Sequence, residues 1–110
     1  MKILFVCSRN RLRSLTAERV FDGVGGHQVK SAGTEDDARV RVTAEHVAWA
    51  ELIFVMDDWH QERIEQEFAG EIAGKQVVCL RIPDDYSVMD ERLIERLRSG
   101  VAPYASFGPA

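Results

Sequence analysis

Four short apolar runs, with helical patterns between them, constrain the fold of this chain more than any other feature. Ile3 to Cys7 (ILFVC) is nearly continuous in apolar residues, as in a strand buried on both faces. Gln28 to Ala32 is a weaker run ended by Gly33, and Leu52 to Met56 (LIFVM) is a third, stopped by Asp57-Asp58. Val77 to Ile82 is the fourth and is followed by Pro83. Between them, Leu15, Ala17, Val20 and Phe21 fall at helical spacing, ahead of the Gly23-Val24-Gly25-Gly26 breaker. Thr43 to Ala50 reads as a short helix capped by Thr43. Trp59 to Phe68 reads as a surface helix closed near Gly70, and Met89 to Leu97 as an amphipathic helix broken at Gly100. The order βαβαβαβα with short connections predicts an α/β fold, a small doubly wound sheet of four parallel strands flanked by helices. Residues 1–100 form the single domain, and 101–110, with two prolines and no charge, are expected to be a loosely ordered tail.

Length and composition agree with one globular domain. The chain has 110 residues, 45% apolar and 29% charged, which excludes a disordered or collagen-like chain. No apolar run is long enough to span a bilayer or laid out as a signal peptide, so a cytoplasmic location without membrane attachment is expected. Two cysteines fit a reducing compartment, and three histidines without paired ligand spacing argue against zinc. The net charge of −4 hides an asymmetry, +3 over residues 1–41 and −7 over residues 42–110. An acidic chain with its basic groups gathered in one segment suits a local anion site better than nucleic acid.

Ligands of such sheets sit beyond the carboxyl ends of the strands. Three polar clusters follow those ends: Cys7 to Ser14, Asp57-Asp58, and Asp84-Asp85-Tyr86. The first, Cys7-Ser8-Arg9-Asn10-Arg11-Leu12-Arg13-Ser14, joins the first strand to the first helix. Five residues between Cys7 and Arg13 suffice to wrap backbone N–H groups around one tetrahedral anion. The following helix adds its unpaired N–H groups and positive dipole end. Arg13 can grip two phosphate oxygens with its planar fork. Cys7, on the loop axis, would face phosphorus and be held there as a thiolate.

The loop resembles the C-x5-R-[ST] signature of the low-molecular-weight protein tyrosine phosphatase family, and the resemblance runs on through most of residues 1–97. Ser31-Ala32-Gly33-Thr34 is similar to the segment after the family's second strand, Val55-Met56-Asp57 to the end of its third, and Asp84-Asp85-Tyr86 to its Asp-Pro-Tyr. The resemblance implies that Cys7 is the nucleophile, that Arg13 binds phosphate, and that Asp84 is the general acid. It also implies that Asn10 ties the loop together, that Ser14 steadies the thiolate, that Ser31 supports the loop from behind, and that Tyr86 forms an aromatic pocket wall. Where the family has proline after the acid this chain has Asp85, so either Asp84 or Asp85 could serve. Where the family often has a second loop cysteine this chain has Leu12, which removes any disulfide within the loop. The chain is a short variant: its segment Glu35 to Arg41 is reduced and carries no aromatic residue.

The function so implied is a metal-independent, cofactor-free phosphomonoesterase of protein tyrosine phosphatase type, acting through a phosphocysteine. Phosphorylated proteins or small phosphate esters are the expected substrates, and inorganic phosphate and other oxyanions the expected inhibitors. One alternative is a thioredoxin-coupled arsenate reductase, for which Cys79 is the sole candidate relay cysteine. Another is a phosphate-binding module without catalysis. Cys79 itself reads as a strand-core residue, Trp59 and Trp49 as packing residues, and Asp57-Asp58 as a helix cap. Arg9, Arg11 and Arg13 at alternate positions point to an anionic partner, with Arg9 and Arg11 at the rim.

Overall fold

The computed structural model describes residues 1–107. Its strands are β1 (Lys2–Cys7), β2 (Gln28–Gly33), β3 (Leu52–Val55) and β4 (Gln76–Cys79). Its α-helices are α1 (Arg13–Phe21), α2 (Ala44–Trp49), α3 (Asp58–Glu67), α4 (Ala69–Ile72) and α5 (Glu91–Val101). The sheet order is β2-β1-β3-β4 and every pairing is parallel. The doubly wound four-stranded sheet expected from the sequence is therefore the fold.

Period-two alternation along β1 sorts the core into two layers. Ile3, Phe5 and Cys7 face α1 and α5, where they meet Ala17, Phe21, Leu93 and Leu97. Leu4 and Val6 face the other way, toward Val47, Ile64 and the flanking Phe68 and Ile72. Phe5 anchors the first layer, with ring centroids 5.8 Å from Phe21 and 5.1 Å from Phe54. Because β1 is central and buried on both faces, its carboxyl end at Cys7 is fixed by the whole sheet.

Several boundaries differ from the sequence reading. Thr43 caps α2 as expected, its hydroxyl accepting from the His46 amide. Gly70 lies inside α4 instead of closing α3, which ends at Glu67. Strand β4 stops at Cys79 because Arg81 takes φ of 54°, although Leu80 and Ile82 still donate to Val55 and Met56. Helix α5 runs through Gly100 to Val101, since the missing Cβ there makes room for Leu80.

The tail is packed where it is described. Phe107 lies 4.4 Å from the Phe21 ring, Tyr104 lies edge-on to Phe54, and His27 Nε2 contacts the Ser106 carbonyl. Apolar side chains at 104–107 reach the layer beneath α5, which outweighs the local absence of regular structure. The rest of the tail, residues 108–110, lies outside the described residues.

Candidate active site

Loop 8–12 leaves β1 and re-enters the structure at Arg13, the first residue of α1. Three of its carbonyls, and that of Cys7 before it, are held by the segment after β2. Thr34 N–H donates to Cys7 O, Glu35 N–H to Ser8 O, and Arg39 N–H to Arg9 O, at 2.9 to 3.0 Å. Arg39 Nε adds a bond to Asn10 O at 3.1 Å. With the carbonyls so engaged, the amides of Ser8 through Leu12 find no backbone acceptor among the described residues. A run of such free amides is the pattern from which anion-binding nests are built. Asn10 lets the loop reverse by taking φ of 57°, which its short polar side chain tolerates.

Beneath the loop a chain of side chains ends on Cys7. Asn10 Nδ2 donates to Ser14 Oγ at 2.7 Å, and Ser14 Oγ lies 2.9 Å from Cys7 Sγ. Since Asn10 Nδ2 can only donate, Ser14 accepts from it and has one proton of its own, with Cys7 Sγ the nearer of two acceptors. Ser14 also approaches the Ala32 carbonyl, at a longer 3.4 Å. Asn10 and Ser14 are fully buried, and Cys7 is 3% exposed at the floor of the cavity.

Arg13 is equally buried. Its Nη1 donates to Asp57 Oδ2 at 3.0 Å and to the Ile82 carbonyl at 2.9 Å. Its Nε has no hydrogen-bond partner among the described residues and lies 3.7 Å from Asp84 Oδ1. Nη2 reaches Ser8 Oγ at 3.5 Å with one hydrogen, so Nε and the second Nη2 hydrogen remain as a pair of donors of the kind that grips an oxyanion. The cavity around them has a volume of about 350 Å³, with Cys7, Ser8, Leu12 and Arg13 at its base. Arg9, Arg11, Glu35, Trp59 and Asp84 form its rim.

The structure separates the expected residues. Asp84 lines the cavity, whereas its neighbour Asp85 is exposed outside the lining. Tyr86 is also outside it: its ring packs on the core beside Arg92, so it does not form the wall. Trp59, expected to pack, is the aromatic residue at the rim and is 41% exposed. Ser31 does not stand behind the loop. Its hydroxyl donates to Glu18 in α1 at 2.7 Å, and the neighbouring Ala32 carbonyl faces Ser14 instead. Arg9 and Arg11 stand at the rim as expected, but both contact Asp37, Arg9 as an ion pair at 3.3 Å and Arg11 through the main-chain carbonyl.

The segment 57–60 supplies more than a cap. Asp57 precedes α3 and holds Arg13, Trp59 forms the rim, and buried His60 reaches Ser8 Oγ at 3.0 Å. Burial, then the Arg13 charge, push His60 down to about 4. The sequence signal was available, because these polar residues follow the carboxyl end of β3, next to β1.

Cys79 is far from this chemistry. Register pairs Val6 with Val55 and Val55 with Cys79, so Cys79 is two strands from β1. At about 4.8 Å per strand, the separation is roughly 10 Å, beyond the ~7 Å Cα limit for a disulfide. The two cysteines also belong to opposite core layers. Cys79 therefore cannot act as the relay thiol without displacement of strands.

No protein-family model matches the chain, and no curated protein matches it significantly. Solved structures do. The chain is similar to the YwlE arginine phosphatase from Geobacillus stearothermophilus, at 22% identity over 96% of this chain and 97% of that one, with a TM-score of 0.67. It is similar to SP-PTP, a low-molecular-weight protein tyrosine phosphatase from Streptococcus pyogenes, at 16% identity, 96% and 93% coverage, and a TM-score of 0.75. It is also similar to Vibrio vulnificus Wzb in complex with benzylphosphonate, at 23% identity, 94% and 95% coverage, and a TM-score of 0.70. The element order, the all-parallel sheet and the loop between β1 and α1 agree with these similarities: the chain has the fold of the low-molecular-weight protein tyrosine phosphatases.

Proposed function

We propose that this chain is a phosphomonoesterase of the protein tyrosine phosphatase type, working through a phosphocysteine and without a metal ion. The carrying observation is the convergence on one cavity of Cys7, the free loop amides and the Nε of Arg13, which makes no hydrogen bond among the described residues. The Cys7 thiolate attacks phosphorus in line while Ser14 O–H steadies the sulfur. Loop amides and Arg13 stabilise the charge on the equatorial oxygens. Asp84 in its acid form gives a proton to the leaving oxygen, forming alcohol and phosphocysteine. As carboxylate it then takes a proton from the water that attacks phosphorus, releasing phosphate and restoring the thiolate.

Substrates in this reading are phosphorylated proteins or small phosphate esters, with inorganic phosphate and related oxyanions as competitive inhibitors. Trp59 provides one face for a leaving group, and Glu35 and Asp84 add negative charge beside Arg9 and Arg11. A reducing cytoplasm suits an enzyme that depends on a free thiol; Cys7 and Cys79 are both unpaired. Among the described residues no helix is long and apolar enough to cross a membrane. The decisive experiment is hydrolysis of p-nitrophenyl phosphate by wild type and Cys7→Ser, with and without a chelator. Activity that needs Cys7 and ignores the chelator supports the reading, and activity that survives Cys7→Ser overturns it.

A further inference from the structure

The residue after the nucleophile carries a hydroxyl whose proton the mechanism above does not use. Its orientation follows from His60. The Asp57 N–H donates to His60 Nδ1 at 3.0 Å, so Nδ1 carries no proton and the single proton of the neutral imidazole sits on Nε2. That Nε2 lies 3.0 Å from Ser8 Oγ, which makes His60 the donor and Ser8 the acceptor. Arg13 Nη2, also a pure donor, approaches the same oxygen at 3.5 Å. With donors on both sides of its oxygen, Ser8 has only its own proton to offer, and Ser8 lines the cavity beside Cys7. His60 is fully buried and Trp59 lies against its ring, 4.2 Å between centroids. The imidazole is thus locked in place, and its low affinity for a second proton keeps this tautomer near neutral pH.

We propose that Ser8 O–H donates to a phosphoryl oxygen, and that His60 is the positioning residue that aims it. Ser8 then joins the loop amides and Arg13 as a catalytic donor to the bound oxyanion. The inference rests on the phosphatase reading for its substrate, but phosphate binding tests it separately. A neutral donor to a charged oxygen contributes roughly 10- to 100-fold.

The test combines calorimetric titration of inorganic phosphate with p-nitrophenyl phosphate kinetics, for wild type, Ser8→Ala, Ser8→Thr, His60→Gln and His60→Leu. Ser8→Ala should weaken phosphate binding and lower kcat/KM by roughly 10- to 100-fold with Tm preserved, and Ser8→Thr should restore both. His60→Gln, whose amide nitrogen can replace Nε2, should keep most of the activity. His60→Leu should fall to the level of Ser8→Ala, and combining the two should cost no more. Nitrogen-edited NMR of wild type should find the His60 ring proton on Nε2 at pH 7. Wild-type-like phosphate binding and turnover in Ser8→Ala, or a ring proton on Nδ1, would overturn the inference. Hydrolysis that depends on Cys7 but ignores Ser8→Ala sinks this inference alone. Ser8-dependent phosphate binding without hydrolysis sinks the phosphatase reading alone, and a wild type that neither binds nor hydrolyses sinks both.

Discussion

Arg13 Nη1 and Asp57 Oδ2 are 3.0 Å apart, and that contact fixes which edge of the guanidinium serves the cavity. Asp57 also precedes α3, where asparagine caps as well as aspartate. Asp57→Asn therefore removes the charge and keeps the cap. We expect kcat/KM on p-nitrophenyl phosphate to fall at least tenfold, with Tm within a few degrees of wild type, because a misaimed Arg13 loses transition-state contacts. Unchanged kinetics would mean that the Ile82 carbonyl alone orients Arg13.

Gly33 is the point at which β2 touches loop 8–12. A Cβ there would lie 2.5 Å from the Ser8 carbonyl oxygen, which the Glu35 amide clamps, and 2.7 Å from Ala38 Cβ. Gly33→Ala should destabilise by roughly 1–3 kcal/mol through overpacking and weaken phosphate binding. Gly100→Ala is the control. Its tightest contact is with the flexible end of Leu80, at 2.9 Å, so its effect on Tm should be smaller and phosphate binding should not change. Equal effects from the two substitutions would argue that Gly33 has no special relation to the loop.

The legible parts of this molecule were those written in periodic or contiguous sequence. The apolar run ending at Cys7 marked the central strand, and Cys7, Asn10, Arg13 and Ser14 lie within eight consecutive residues. Residues brought in from other elements were harder to read. Trp59 and Tyr86 are both aromatics after strand ends, and sequence alone gives no means of telling which one faces the cavity. His60 sits one helical turn after Asp57 and looks like a capping partner, which it is. Its second nitrogen reaches Ser8 only because β3 lies beside β1 in the sheet. Ser31 and Ala32 adjoin in sequence, but the strand's alternation sends the Ser31 side chain to Glu18.

Asp84 and Asp85 are separated by kinetics as the structure separates them by position. Asp84→Asn should lower kcat on phenyl phosphate by roughly 10²- to 10⁴-fold, the scale of a lost general acid. The loss should be much smaller on p-nitrophenyl phosphate, whose leaving oxygen needs little protonation. Asp85→Asn should stay within a few-fold on both. If the leaving-group dependence follows Asp85, the loop must rearrange to bring that carboxylate over Cys7.

His60 makes stability depend on pH in a defined direction. Its folded value of about 4 lies below the ordinary 6.5, so the unfolded chain binds more protons between those values. The stabilisation from keeping His60 neutral is fully present above about 6.5 and is lost as pH falls toward 4. The urea midpoint should drop between pH 7 and pH 5, a window above most carboxylate titration. In His60→Gln that drop should shrink. An equal drop in both proteins would assign the pH dependence to other groups.

Arg9 and Asp37 form an exposed pair at 3.3 Å, and Arg11 donates to the Asp37 carbonyl, so one residue engages both rim arginines. Asp37 thereby competes with any anionic group flanking the phosphate on a substrate. Such exposed pairs are weak, so the competition should be modest and sensitive to salt. Asp37→Asn removes the carboxylate but keeps the main-chain carbonyl that Arg11 uses. On an acidic phosphopeptide at low ionic strength, kcat/KM should rise roughly two- to fivefold, the range set by an exposed ion pair. The gain should disappear in ~0.5 M salt, where the Debye length falls to a few ångströms, and should be absent on a neutral aryl phosphate. Arg9→Ala should cancel it at low salt as well. A gain that persists at high salt, or that appears equally with the neutral ester, would show that Asp37 acts through the loop clamp and not through the rim charge.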